Sequence, residues 1–451
     1  MESKKVKKEK KSGFTNSIGF VLSAAGSAVG VGNIWRFPYL AAKDGDGLFI
    51  LVYLVLVVTF GFTLLTTDIA IGRRTGKNTV YAYGSINPKW DFLGKMTFLV
   101  PAIIMTFSGN EAAQDGYFTD FITSPAASIV FVLVFLFITA VVVYRGVEKG
   151  IEQFSKIVMP GLIFMVVGIA IFSLKLKYTD ADGITRTGLQ GLAVYLIPNF
   201  EGLTVKRFLG ILLDAMSQIF FSLSVSMGIM ITYGSYVKKD VNLSKSVGQI
   251  EIFDTGVALL AGMMIIPAVY VFSGTEGMAS GPSLMFVSLP KVFSSMGNVG
   301  NIIGLIFFIM VAFAALTSCV SIMETLVANC MEIFHVSRKK LSLIIGVISA
   351  AAAIVICLGY NVFYFELKLP NGSIGQLLDV MDYISNSFLM PFISFLSCIF
   401  IGWVVGPQWI SEEMESSGHP FTRKKLYNFM IKYVATVMMA VLFLQSTGIL
   451  S

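Results

Sequence analysis

The sequence predicts an all-α integral membrane protein, built as a bundle of 11 transmembrane helices. Three observations carry that prediction. Charged residues make up only 13% of the 451 positions and hydrophobic ones 55%, whereas a soluble domain carries about 25% charged residues. Apolar segments recur at 14–38, 47–71, 92–108, 126–144, 155–174, 208–237, 250–272, 299–333, 341–359, 374–404 and 426–447, judged against the roughly 20 residues that cross a bilayer. Basic residues fall on alternate loops.

Those loops set the orientation. With the N-terminus inside, Arg73, Arg74 and Lys77, then Arg145 and Lys149, then Lys238 and Lys239 are all cytoplasmic, as are Arg338 to Lys340 and Arg423 to Lys425. The opposite loops hold Glu111, Asp115 and Asp120, or Asp180 and Asp182. This satisfies the positive-inside rule and puts the C-terminus outside. The run Lys4 to Lys11 lies in a basic tail, 1–13, and reads as a cytoplasmic anchor, so the net charge of +6 is not a nucleic-acid signal. The apolar stretch after it is far longer than a signal-peptide core, and no cleavable signal is expected.

Enzymatic and metal chemistry find little footing. Cys319, Cys330, Cys357 and Cys398 have no paired spacing, which indicates neither a disulfide framework nor a metal site. His335 and His419 are the only histidines, too few for histidine-based metal chemistry. No nucleophile–base pair stands out, and no enzyme is expected.

The third segment is the weak one. Phe92 to Phe107 is interrupted by Lys95 and ends in Ser108, Gly109, Asn110 and Glu111, so it covers only about 24 Å at 1.5 Å per residue. The charge pattern nevertheless requires a crossing there, hence a short helix.

Two segments are broken in the middle. SAAGSAVGVGNIWRFPYL (Ser23 to Leu40) gathers Gly26, Gly30 and Gly32 with Ser27, Asn33, Trp35 and Arg36, and each Gly costs about 1 kcal/mol relative to Ala inside a helix. The sixth segment places Ser222, Ser224, Ser226 and Gly228 at mid-membrane. Irregular backbone survives in a bilayer only where it is buried in protein or lines a cavity, although glycines also serve close helix packing with no ligand. The two breaks stand five helices apart, as in an inverted five-plus-five repeat. The first repeat would be 14–174, the second 208–404, with an eleventh helix at 426–447. Paired broken helices at matching places point to a transporter's midplane site.

At these residues the chain resembles a known family. GSAVGVGNIWRFPYL (Gly26 to Leu40) followed by DGDGLFILVY resembles the first-helix signature of the neurotransmitter:sodium symporters, the family of the bacterial leucine transporter. SQIFFSLS (Ser217 to Ser224) resembles its sixth helix, RGVEKGIEQFSKIVMP (Arg145 to Pro160) the start of its fifth, and AALTSCVSIME (Ala314 to Glu324) its eighth. The likeness runs from about Phe14 to the C-terminus. It implies a sodium-coupled importer of apolar or aromatic amino acids, working by alternating access in a bacterial inner membrane as a monomer or weak dimer. The rival is a transport-impaired sodium-binding sensor or channel-like member of the same fold.

The resemblance also implies site residues. A first sodium site would use the Ala28 carbonyl, the Asn33 side chain, Ser222 and the substrate's own carboxylate. A second would use carbonyls of Gly26, Val29 and Ala314 with the hydroxyls of Thr317 and Ser318, for which the alternative is back-bonding within their own helix. The substrate carboxylate would lie near the amides around Gly30 and Gly32. Ala28, Ile104, Ser108, Phe221, Ser222, Ser224, Met227, Ser318 and Ile322 would complete the substrate site. Asp254 would supply a fixed negative charge near the first sodium, making chloride unnecessary; the alternative is a plain hydrogen bond to neighbouring helices. Asp68 is a second isolated acid at membrane depth, a functional position by default. Arg36 and Asp382 would form an extracellular gate, Lys11 and Glu332 an intracellular one, with Phe14 where the family usually has Trp. Gly150 and Pro160 would mark a hinge that unwinds at the cytoplasmic end of the fifth helix; a static kink is the plainer reading.

One departure stands out. The family continues its third helix with a tyrosine pair, one of which holds the substrate carboxylate, and several more turns. Here Phe107 and Ser108 occupy those positions, and GNEAAQDGY follows.

Overall fold

The computed structural model describes residues 13–45, 47–107, 125–180, 183–274, 289–359, 362–370, 372 and 374–449. The first half of the chain contains α1 (Ser17–Ala28), α2 (Val31–Ile34), α3 (Arg36–Lys43), α4 (Gly47–Leu56), α5 (Phe62–Thr75), α6 (Thr79–Ile86), α7 (Asp91–Phe107), α8 (Pro125–Tyr144) and α9 (Gln153–Leu174). After α10 (Gly188–Leu196) come α11 (Val205–Ser222), α12 (Ile229–Gly234), α13 (Leu243–Ser273), α14 (Leu289–Ser295), α15 (Asn298–Phe334), α16 (Arg338–Leu358), α17 (Leu377–Asp382) and α18 (Met390–Ile399). α19 (Gln408–Glu415), α20 (Lys424–Phe429) and α21 (Ala435–Ser446) close the chain. Among the described residues the strands are two short antiparallel hairpins, β1 (Lys177–Thr179) with β2 (Thr185–Thr187) and β3 (Leu367–Lys368) with β4 (Ile374–Gly375).

Among the described residues, seven helices are long and apolar enough to span a membrane, and an eighth span arises if the bent pair at the N-terminus counts as one. That pair, Ser17–Ala28 and Val31–Lys43, is bent by 64°. Several helices outrun their apolar segments: α13 begins at Leu243 rather than 250 and α15 extends to Phe334. The reason is capping. The Asn242 side chain accepts from the Lys245 amide at 3.0 Å, which starts α13 in the polar stretch LSKSVGQIE, before hydropathy rises.

The distribution of polarity is inverted relative to a soluble protein. Phe164 is 81% exposed and Ile157 76%, facing outward as apolar surface suited to lipid, while Asn33, Asp254 and Glu324 are fully buried in the interior. α5 and α12 approach backbone to backbone. A methyl added at Gly72 would sit 1.9 Å from the Ile231 carbonyl oxygen, and one at Gly234 would sit 2.3 Å from that of Ile69. Only glycine fits this crossing. Gly72→Val should therefore cost about 1–3 kcal/mol by overpacking, read as a lowered melting temperature in detergent. An unchanged melting temperature would rule out the close crossing.

Candidate functional site

The site begins where α1 stops. Asn16 caps its start, accepting from the Gly19 amide at 2.8 Å. At its end Val29 (φ −73°, ψ 80°) turns tightly enough for the Gly30 amide to reach the Ala28 carbonyl at 2.8 Å, an inverse γ-turn. The last carbonyls of a helix have no intrahelical partner, and here they fall in the middle of the bundle. The chain restarts as α2 one residue later.

The second break joins α11 to α12 through Leu223–Gly228. Ser224 (φ 51°), Ser226 (φ 58°) and Gly228 (φ 77°) all adopt left-handed backbone, which costs a non-glycine residue about 1–3 kcal/mol. Buried hydrogen bonds hold the loop in this shape. The Asp68 carboxylate accepts from the Ser226 amide at 2.8 Å, and the Thr79 hydroxyl donates to the Gly228 carbonyl at 2.7 Å. The Ser224 hydroxyl donates to the Ser27 carbonyl of the first break at 3.0 Å. The sequence flagged Asp68 without a role; it clamps this loop.

Between the breaks lies a cavity of about 380 Å³. Of the substrate-site candidates, Ala28, Gly30, Gly32, Ile104, Phe221, Ser222, Ser224, Met227, Ser318 and Ile322 all line it, and Ser108 lies outside the described residues. The sequence reading missed Phe131, Val132 and Phe135 of α8, Val311, Ala315 and Cys319 of α15, and Asn386. Asn386 had a legible signal, standing four residues after Asp382 on the same helical face. The α8 residues had none, since a cavity-facing Phe looks the same in sequence as a lipid-facing one.

Asn33, Ser222 and Asp254 converge. Asn33 Nδ2 donates to Asp254 Oδ1 at 2.7 Å and to the Asp254 carbonyl at 3.2 Å. The Ser222 hydroxyl donates to Asp254 Oδ1 at 2.7 Å and reaches Asn33 Oδ1 at 3.1 Å. Asp254 Oδ2, the Tyr53 hydroxyl and Gln218 Oε1 are buried with no hydrogen-bond partner among the described residues. Tyr53 interacts electrostatically with Asp254; it too was missed, although it is a polar tip within the run LFILVYLVLVV. A buried carboxylate with one unbonded oxygen, beside an amide and hydroxyls, is a set of hard oxygens that suits a small cation.

On the other side of the first break, a methyl added at Gly30 would lie 2.9 Å from Ser318 Oγ, and one at Gly26 would lie 3.6 Å from Thr317 Cβ. The Thr317 hydroxyl donates to the Ala314 carbonyl at 2.9 Å. Ser318 reaches both the Ala314 and the Ser27 carbonyls at 3.3 Å. The two hydroxyls thus back-bond within α15 and also face the broken helix. The five second-site candidates belong to these two facing segments.

The gate candidates sit above and below. Arg36 donates to the Ser217 hydroxyl at 2.8 Å and lies 5.7 Å from the centre of the Phe221 ring. Asp382 is within electrostatic reach of Arg36 and accepts from Asn386 at 2.6 Å. Below, Glu332 accepts from the Asn78 amide at 2.9 Å and pairs with Lys77 at 3.2 Å; Lys11 lies outside the described residues. Phe14 is buried against Phe20, Tyr233 and Tyr236. Glu324 accepts from the Tyr236 hydroxyl at 2.7 Å and pairs with Arg338.

The hinge candidates lie at the start of the fifth span. Val147–Glu152, which contains Gly150, is not unwound but forms a π-helical turn that runs straight into α9, with Pro160 inside that helix. The wide turn keeps the backbone hydrogen-bonded, and Gly150 leaves room for the Val142 carbonyl oxygen, 2.0 Å from where its methyl would be.

Comparison with known proteins places the fold in a family. The profile of the sodium:neurotransmitter symporter family matches residues 11–109 and 119–450. The chain belongs to that family. The transporter is 31% identical over 464 residues to the uncharacterized sodium-dependent transporter YhdH of Bacillus subtilis, covering 97% of this chain and 98% of that one. It is 24% identical to the human sodium- and chloride-dependent GABA transporter 2, covering 89% and 74%. Among solved structures, MhsT in complex with L-phenylalanine superposes with a TM-score of 0.82 at 32% identity, over 97% of this chain and 100% of that one. The chain is accordingly a multi-pass membrane protein of a sodium-dependent transporter family, and that family consists of transporters rather than enzymes.

The Asp68 clamp makes a prediction. Asp68→Ala strands the Ser226 amide and should destabilise the transporter by about 1–3 kcal/mol, with Asp68→Glu recovering part of the loss. Thermal unfolding of the three proteins in detergent tests it; equal stabilities would contradict the clamp.

Proposed function

We propose that this transporter is a sodium-coupled symporter that imports apolar or aromatic amino acids by alternating access around the cavity between its two broken helices. The observation that carries the proposal is the convergence of Asn33, Ser222 and Asp254, with its unbonded Oδ2, at the edge of that cavity. MhsT, seen with L-phenylalanine, supports the substrate class, as do the apolar walls supplied by Ile104, Phe221, Met227 and Ile322.

Two sodium ions enter as co-substrates. The first takes the Ala28 carbonyl, Asn33, Ser222 and the substrate carboxylate, so that substrate completes the ion site and the ion favours substrate. Asp254 supplies the negative charge there, and chloride is not required. The second takes the Gly26, Val29 and Ala314 carbonyls with Thr317 and Ser318, bridging α1 to α15. The substrate carboxylate faces the amides around Gly30 and Gly32. Arg36 and Asp382 close the outer side; Lys11 and Glu332, over the Phe14 layer, close the inner one. Gly150 and Pro160 bracket the segment that yields when the inner side opens. The bundle has 11 spans in an inverted five-plus-five repeat in a bacterial inner membrane, with the N-terminus cytoplasmic and the C-terminus outside, as a monomer or weak dimer.

One observation favours a second reading. Phe107 and Ser108 stand where the family's tyrosine pair would be. A chain lacking that hydroxyl could bind sodium yet transport poorly, acting as a sensor or channel-like member.

Uptake of radiolabelled L-phenylalanine into proteoliposomes, with and without an inward sodium gradient, separates the two. Gradient-driven accumulation is expected; uptake indifferent to sodium would sink the symport proposal, and sodium binding with no uptake would favour the sensor. Asp254→Ser should make uptake chloride-dependent, falling by up to about a thousand-fold without chloride, since a unit charge about 4 Å away is worth about 4 kcal/mol at an effective dielectric near 20. A chloride response identical to that of the unaltered protein would remove the role assigned to Asp254.

A further inference from the structure

A basic–aromatic cluster lies far from the cavity, on the lipid-facing surface where the second repeat meets the last helix. α18 leads into a π-helical turn, Phe400–Val405, and α20 into another, Met430–Val434. The two turns touch closely: a methyl at Gly402 would lie 3.0 Å from the Ile431 carbonyl oxygen and 3.1 Å from Lys432 Cα. Wide turns free carbonyls from the regular ladder, and both are satisfied here. The Thr436 hydroxyl donates to the Ile431 carbonyl, and the Trp403 indole N–H to the Lys432 carbonyl, each at 2.9 Å.

That arrangement fixes the Trp403 ring beside the Lys432 ammonium. Lys432 Nζ lies 5.0 Å from the centre of the Trp403 ring and 5.7 Å from that of Tyr433. Among the described residues no carboxylate pairs with it. Its neighbours differ: Arg423 pairs with Glu251 at 3.0 Å and Lys424 with Glu415 at 3.0 Å. Trp403, Phe429 and Tyr433 are all exposed, at 56%, 56% and 47%. Trp403 stands three residues before Gly406, where the helix ends, so the cluster lies one turn inside the end of the span, on the side of the basic loops. An unneutralised lysine at this depth, flanked by amphipathic rings, faces phospholipid headgroups rather than water or protein.

We propose that Lys432, Trp403 and Tyr433 form a binding site for the phosphate of an anionic phospholipid in the leaflet on the basic-loop side. The ammonium meets the phosphate, and the two rings bracket the glycerol region. The site is independent of the substrate reading, because its evidence lies wholly outside the cavity.

The test uses the full chain in nanodiscs, with phosphatidylglycerol or phosphatidylcholine carrying brominated acyl chains as quenchers. The Trp403 signal is taken as the difference between the unaltered protein and Trp403→Phe. At equal mole fraction, brominated phosphatidylglycerol should occupy the site with about a five-fold preference, the scale of one lysine near an anionic surface. Lys432→Gln should abolish the preference, while Lys425→Gln, which alters an exposed lysine outside the cluster, should leave it intact. Equal quenching by the two lipids in the unaltered protein would overturn the proposal. So would a preference that survives Lys432→Gln, or one erased by millimolar inorganic phosphate, which would assign the site to a soluble anion. Lys432→Gln lies on the lipid-facing surface, so its melting temperature in phosphatidylcholine should match that of the unaltered protein, separating loss of the site from loss of the fold.

Discussion

A bilayer interior offers no water to an unpaired amide or carbonyl, and this chain interrupts two of its helices there. The contact that reconciles the two facts is the one between the breaks. Ser224 gives its hydroxyl to the Ser27 carbonyl, while Ser27 Oγ lies 3.3 Å from Ser224 Oγ. Each break supplies part of what the other lacks. Ser318 adds a third reach to the same carbonyl, bringing α15 into the arrangement. The cavity is the space left over when two unwound segments must stay within hydrogen-bonding distance while their half-helices diverge.

The polar groups around that space are arranged unevenly. On one side Asp254, Asn33 and Ser222 form a tight network with an oxygen to spare. On the other, hydroxyls of α15 face the end of α1 and are already partly satisfied by their own helix. The first side carries a buried formal charge and demands a countercharge; the second offers only dipoles. A cation would be bound more by charge at the first and more by geometry at the second. The roof repeats the theme, since Asp382 engages Asn386 while the Arg36 guanidinium lies near Phe221 and Ser217.

Much of this was legible in the sequence, for identifiable reasons. A glycine cluster marked the first break, because glycine inside a helix has a cost that packing or a site must offset, and three serines with Gly228 at mid-membrane marked the second. Isolated acids at membrane depth marked Asp68 and Asp254. The family signature then assigned cavity residues, and every one within the described residues lines the cavity. Three things stayed hidden. Phe131 and Phe135 were indistinguishable from lipid-facing residues, because an apolar helix carries no periodic contrast when both of its faces are apolar. The role of Asp68 was invisible because its partner is a backbone amide, which no side-chain pattern announces. The π-helical turn around Gly150 was invisible because a wide turn has no residue pattern of its own. Helix boundaries were short for a simpler reason: hydropathy ends where the membrane does, and capped helices continue beyond it.

Asp68 and Gly72 stand one turn apart on α5. The first grips the loop above α12, and the second lies against the backbone of α12 itself. The second half of the second broken helix is therefore joined to α5 at two levels and forms a single stiff plank with it. On its other side the N-terminal segment is held to the same half-helix: the Phe14 amide donates to the Tyr236 carbonyl at 3.3 Å, and the Phe14 ring stands edge-on to Tyr233 and Tyr236. Displacing the N-terminal segment from this wall therefore breaks a backbone hydrogen bond as well as ring contacts.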